Sequence, residues 1–128
     1  MHKPSKILLV SAGLFGLIGA FMGSHMAGAG SYAMRPIHAH VLVVGWLTLF
    51  SWSVYYKVFV NKYGVLEKIH VWSAIVGAFG LTIGMYMNNV LSSTTFSLVF
   101  YIVGGSVLLL SFIVFFIQTI LYKPAENK

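Results

Sequence analysis

The stretch RPIHAHVLVVGWL, residues 35–47, combines a proline, two histidines and an uninterrupted apolar run. A proline at this position is typical of the first turn of a helix. The apolar character continues to residue 60, which gives a segment longer than the roughly 20 residues that a helix needs to cross a bilayer. This stretch therefore predicts a membrane-spanning helix that carries His38 and His40 close to its beginning.

The composition of the whole chain predicts the same class of protein. Its 128 residues are 59% hydrophobic and 8% charged, with a mean hydropathy of +0.89, which is too apolar for a soluble domain. The chain has no cysteine, which excludes disulfides, thiolate metal sites, iron–sulfur clusters and catalytic thiols. Histidine is then the strongest ligand left for a soft metal ion.

Four apolar segments are each long enough to span a bilayer, so the predicted fold is an all-α integral membrane protein with a single transmembrane domain over residues 1–128. The predicted helices are 7–26, 37–60, 69–87 and 96–121. Short connections, beginning at Ala27, Asn61 and Asn88, separate these segments and predict that consecutive helices are antiparallel neighbours.

The basic residues predict the orientation of these helices. Arg35 is alone at one end, and the seven lysines gather at the other: Lys3, Lys6, Lys57, Lys62, Lys68, Lys123 and Lys128. Because basic residues favour the cytoplasmic side, both termini are expected to face the cytoplasm. The net charge of +6 is then directed at lipid headgroups, and nucleic acid is not an expected partner.

The first segment also has an alternative interpretation. Its basic start and the small residues Ala27-Gly28-Ala29 imitate a secretory signal with a cleavage site, although its apolar run is longer than such signals usually have.

The acidic residues are informative as well, since neither of the two lies within a predicted span. This argues against a di-iron carboxylate site and against a carboxylate proton relay.

The spacing of His38 and His40 restricts what they can bind. Residues two apart on an α-helix point about 200° from one another, so one chain cannot direct both imidazoles at the same ion. Metal-binding pairs on one helix use a spacing of three or four residues. The pair therefore predicts two separate sites, or one kind of site that a neighbouring chain completes. The alternative is that both side chains form hydrogen bonds at the membrane interface.

A wider pattern surrounds the pair: residues 38–47 contain His-x-His and Gly-Trp, Tyr55-Tyr56 follow, and Ile69-His70-Val71-Trp72 and Gly77 begin the next helix. This pattern resembles the tenth and eleventh helices of haem-copper oxidase subunit I, most closely in the C-type branch, and the likeness covers residues 35–87. The resemblance implies that His38 and His40 each ligate a haem iron, on opposite sides of one helix. It matches His70 to a histidine that is not an iron ligand, for which we expect a surface or packing role, with a role in the site as the alternative.

The chain also departs from this family. The oxidases have twelve helices in three arcs of four, and their copper site uses histidines on helices that have no counterpart here. Oxygen reduction by this chain alone is therefore not expected, and whether it is an enzyme stays open.

Because the chain has the size of one arc, the resemblance implies a homotrimer. Each pore would hold non-covalent haem b between His38 of one subunit and His40 of the next, in a bacterial-type inner (plasma) membrane.

Further residues near the pair are candidates for contact with the cofactor. Arg35, one turn before His38, is expected to pair with a haem propionate, with a lipid headgroup as the alternative. Tyr32 is a weaker candidate for a propionate or quinone contact. Trp46 is a candidate to line the porphyrin, with a lipid-facing or core-packing role as the alternative. His25 is either a third polar neighbour of the site or a simple interfacial histidine.

Three functions follow from these expectations. Bis-histidine ligation leaves iron no open position, which favours an electron-transfer cytochrome with an unknown redox partner or quinol. An open-site haem enzyme or sensor of oxygen or nitric oxide would use His40 on iron, with His38 displaced or bound to another metal such as copper. A cofactor-free protein that assembles with a larger oxidase is the third hypothesis.

Overall fold

The computed structural model describes residues 3–124, which are all-helical apart from the connections. Four helices are long and apolar enough to cross a membrane: α1 (Lys3–Ala29), α2 (Arg35–Val58), α3 (Val65–Leu91) and α4 (Thr95–Leu121). The 27 residues of α1 extend about 40 Å at about 1.5 Å per residue, more than the roughly 30 Å of a bilayer core. Lys128, one of the lysines in the charge argument, lies outside the described residues.

Helix α3 differs most from its predicted bounds of 69–87. It begins at Val65, because the Glu67 carboxylate accepts a hydrogen bond from the Gly64 N–H at 2.8 Å and so caps the first turn. It also continues through Asn88, which the sequence predicts as a break, as a turn of π-helix over Met87–Leu91. Both ends of α3 therefore lie beyond the predicted bounds.

Helix α1 also continues further than the sequence predicts, through Ala27 to Ala29. It ends at Gly30, whose φ of +63° is a left-handed conformation that glycine adopts without steric cost. Pro36 lies in the first turn of α2, as predicted. A run of π-helix, Val41–Thr48, follows within α2 and was not expected from the sequence.

Helices α1 and α2 form one antiparallel hairpin. Three glycines of α1 face three side chains of α2 in opposite order along the chain: Gly16 faces Trp46, Gly19 faces Leu42 and Gly23 faces His38. A side chain on any of these glycines would collide with or crowd its partner, so the small residues allow the two helices to approach.

Helices α3 and α4 form a second antiparallel hairpin in which the two backbones are in direct contact. A Cβ atom at Gly104 would overlap the backbone of Gly80, and one at Gly77 would overlap the backbone of Leu108. Glycine is therefore required where this helix pair is closest.

The two hairpins meet differently at the two ends of the bundle. At the end that contains Lys3 and Leu121, called here the termini end, the Trp52 ring packs 4.5 Å from His70 and 4.9 Å from Phe112 between centroids. At the opposite end, called the Arg35 end, a cavity of about 560 Å³ lies between α1, α2 and α3. The termini end is closely packed, whereas the Arg35 end is open.

Candidate functional site

His38 and His40 lie in the first six residues of α2, directly before its π-helical run. Pro36 fixes the backbone of this turn, and both imidazoles are half-buried. π-Helical turns are rare in proteins, and those that occur lie frequently at functional sites. The local backbone is therefore unusual at the place where the sequence predicts the iron ligands.

The imidazole of His40 is oriented by its own helix. Its Nδ1 atom lies 2.8 Å from the carbonyl oxygen of Pro36. Because a carbonyl can only accept, Nδ1 carries a proton, and in the neutral imidazole Nε2 then holds the lone pair. Histidines that bind metals usually donate their second ring nitrogen to a carbonyl or carboxylate in this way, which fixes the tautomer and the ring direction.

The imidazole of His38 has different surroundings. It packs against α1 at Gly23, where an added Cβ would lie 3.0 Å from the ring Cε1 atom. Its Nδ1 atom is enclosed and has no hydrogen-bond partner. Leaving a buried polar nitrogen unpaired is costly, so this ring lacks the internal support that His40 has.

Arg35 and Tyr32 lie together at the same end. The Arg35 guanidinium carbon is 4.7 Å from the centre of the Tyr32 ring, a cation–π distance, and both side chains are exposed. The guanidinium is therefore held near the surface, one turn from His38, with its hydrogen-bond donors available to an anion.

Trp46 and His25 lie on different faces of the α1–α2 hairpin. Trp46 packs against Gly16, two turns below His38, and its ring is 47% exposed. His25 is exposed, stacks on Phe21 with ring centroids 6.4 Å apart, and borders the cavity at the Arg35 end. The cavity lining includes neither His38 nor His40, so His25 and the histidine pair are not part of one pocket.

No group of three or more His, Cys, Asp or Glu side chains within residues 3–124 is placed to hold a metal ion. A metal centre made from one copy would therefore have at most two such ligands in this part of the chain.

A buried polar cluster at the termini end joins α2, α3 and α4. The Tyr56 hydroxyl lies 2.8 Å from His70 Nδ1, and the Gln118 amide donates to the same hydroxyl at 3.1 Å. His70 is fully buried, so it does not lie at the surface, and its ring packs against Trp52 and Phe115. Its Nε2 atom is enclosed without a partner. Gln118 is missing from the residues predicted above, although a buried amide within an apolar span signals a partner.

No protein-family model, curated protein or solved structure matches the chain. The likeness to haem-copper oxidase subunit I therefore depends on the quoted residues alone.

Proposed function

We propose that the chain is a haem-b-binding membrane protein and that His40 ligates the iron. The observation that carries this proposal is the hydrogen bond from His40 Nδ1 to the Pro36 carbonyl, because it leaves Nε2 as a free and oriented lone pair. His40 would hold the haem iron through this nitrogen, and the bound haem would supply one-electron chemistry.

The second axial ligand comes from another copy of the chain. His38 and His40 are two residues apart on one helix, and the His38 ring lies against α1 while the His40 ring bonds to its own backbone. One copy therefore cannot place both on the same iron. In a homotrimer, His38 of one subunit and His40 of the next would face each other. Every iron would then have two histidine ligands, and every copy would contribute in the same way.

Arg35 anchors the cofactor at the Arg35 end. Haem propionates are anionic, and an exposed guanidinium one turn before His38 offers them charge-assisted hydrogen bonds. Tyr32 shares this location through its contact with Arg35, and Trp46 extends the apolar wall below His38. His25 is a more distant polar neighbour because it borders a separate cavity.

The proposal includes insertion in a bacterial-type inner membrane as one arc of an oxidase-like fold. The lysines at the termini end support a cytoplasmic location of both termini, and the four apolar helices support spanning. In this arrangement the protein transfers electrons between an unknown redox partner or quinol and a second carrier, since bis-histidine iron has no open position.

The contrast between the two histidines favours a second candidate function. His38 has an unpaired, enclosed Nδ1 and lacks the orienting hydrogen bond of His40. An iron bound by His40 alone would keep one position open for oxygen or nitric oxide, as in a haem enzyme or gas sensor. In that case His38 is either free or binds another metal such as copper.

Optical spectra and haem-to-protein ratios of the wild type, His40→Ala and His38→Ala test these functions. We expect His40→Ala to lose its haem. His38→Ala should lose its haem in the trimeric cytochrome but keep a five-coordinate, carbon-monoxide-binding haem in the open-site protein. His70→Gln, at the termini end, is the control and should keep its haem content.

Unchanged haem content in both alanine variants would refute the proposal. Colourless wild-type protein from cells supplied with haem precursor would instead support a cofactor-free assembly protein. A mass measurement of the detergent-solubilised complex tests the trimer, and a monomer that retains bis-histidine haem would contradict it.

A further inference from the structure

The cavity at the Arg35 end has a closed floor and apolar walls. Its floor is the contact between Phe15 of α1 and Phe79 of α3, whose ring centroids are 4.5 Å apart. Isoleucines from three helices are among its walls: Ile18, Ile37 and Ile83. An apolar space of about 560 Å³ that opens between helices of a membrane protein requires an apolar occupant.

The depth of this cavity matches one leaflet of a bilayer. Phe15 at the floor and His25 at the rim are ten residues apart on α1, about 15 Å at about 1.5 Å per residue. One leaflet contributes half of the roughly 30 Å bilayer core, which is also about 15 Å. Phe15 lies near the middle of α1, Lys3–Ala29, so the cavity extends from the headgroup level to the mid-plane.

The rim carries the complementary polar groups. His25 and Tyr86 border the cavity at this level, and each can donate a hydrogen bond to a phosphate or ester oxygen. Met34 also lines the cavity, and the next residue, Arg35, supplies positive charge at the headgroup level. The five donors of a guanidinium allow Arg35 to contact more than one anion.

We propose that this cavity binds a phospholipid from the leaflet at the Arg35 end, with one acyl chain inserted between α1 and α3. The chain reaches the Phe15–Phe79 floor, and the phosphate and ester oxygens lie at the polar rim. The lipid then fills the space between α1 and α3 and joins the two hairpins where the protein's own contacts are few. This inference depends on the membrane insertion proposed above and is independent of haem binding.

Native mass spectrometry of protein extracted from membranes in detergent tests the inference. We expect one phospholipid retained on each chain of the wild type. Ile18→Trp and Ile83→Trp place an indole in the cavity and should reduce the retained lipid at least ~10-fold, equivalent to about 1.4 kcal/mol. Ile102→Trp is the matched control, because Ile102 is exposed on α4 and lines no part of the cavity, and it should retain the lipid.

A second measurement uses only the wild type, so it does not depend on the folding of the variants. Titrating delipidated protein with dioleoyl phosphatidylglycerol should raise the melting temperature and saturate near one lipid per chain. Three results would overturn the inference: no retained phospholipid and no thermal shift, equal retention in the cavity-filling variants, or a haem, quinone or second copy displaced by them instead. Absence of the protein from the membrane fraction would refute membrane insertion itself, which is a distinguishable failure.

Discussion

The histidines at the termini end and at the Arg35 end of this bundle have different polar surroundings. At the termini end, Tyr56, His70 and Gln118 form hydrogen bonds with one another inside a packed aromatic cluster. At the Arg35 end, the His40 ring forms its hydrogen bond with the Pro36 carbonyl of the same helix, and an open cavity lies nearby. Polar groups that form hydrogen bonds with one another stabilise a fold, whereas polar groups with an unused donor or acceptor are available to a ligand. We therefore assign stability to the first end and binding to the second.

Removing the largest side chain of the packed end should have the largest effect. Trp52 is 3% exposed and contacts His70, Phe112 and Phe115, so Trp52→Ala is expected to lower the free energy of unfolding in detergent by about 3–5 kcal/mol. Trp72→Ala is the control, because Trp72 is 57% exposed. Similar losses for the two variants would show that the termini end is not specially packed.

The polar cluster itself should contribute less than the aromatic packing around it. Tyr56→Phe leaves His70 Nδ1 and the Gln118 amide without their shared partner, and we expect a loss of about 1–3 kcal/mol in thermal unfolding. The same substitution at Tyr63, which is 39% exposed in a connection, should change stability by less than ~0.5 kcal/mol. A neutral Tyr56→Phe would mean that the cluster does not stabilise the fold.

At the Arg35 end the expected effect is on binding. Arg35→Gln removes the charge that we assign to a haem propionate, and roughly tenfold weaker haem binding is expected, with little change in unfolding. Lys62→Gln, at the other end of the bundle, should leave haem affinity unchanged. Haem titration followed by absorbance measures both, and equal affinities for wild type and Arg35→Gln would remove Arg35 from the site.

The smallest effect is expected at the cavity wall. Ile83 is 45% exposed, so Ile83→Ala should cost less than ~1 kcal/mol of unfolding free energy. Leu49→Ala, in the fully buried core, should cost about 2–5 kcal/mol. Denaturant titration of both variants compares them directly, and a large loss for Ile83→Ala would show that the wall is part of the core.

The sequence predicted the existence and number of the helices because each apolar run has the roughly 20 residues that a span needs. It failed at the ends of α1 and α3, where Ala27 and Asn88 remain helical although they are not strongly apolar. Helix ends depend on caps and local hydrogen bonds, which hydropathy does not register.

The site was predictable only in part for a different reason. The spacing of His38 and His40 follows from the sequence, but the hydrogen bond that distinguishes His40 depends on the backbone at Pro36. Burial of His70 and the cavity above Phe15 depend on how helices from two hairpins pack, which no local pattern contains. Gln118 could have been predicted, because its amide lies within an apolar span of the sequence.

The π-helical run Val41–Thr48 sets the angular relation between the two ends of α2. In a π-helix each N–H bonds to the carbonyl five residues earlier, one residue more than in an α-helix, so the chain turns less per residue. Side chains after Thr48 therefore point in other directions relative to the histidines than eight residues of regular α-helix would give them. The direction of His38 and His40 relative to Trp52 and Tyr56 therefore depends on this run.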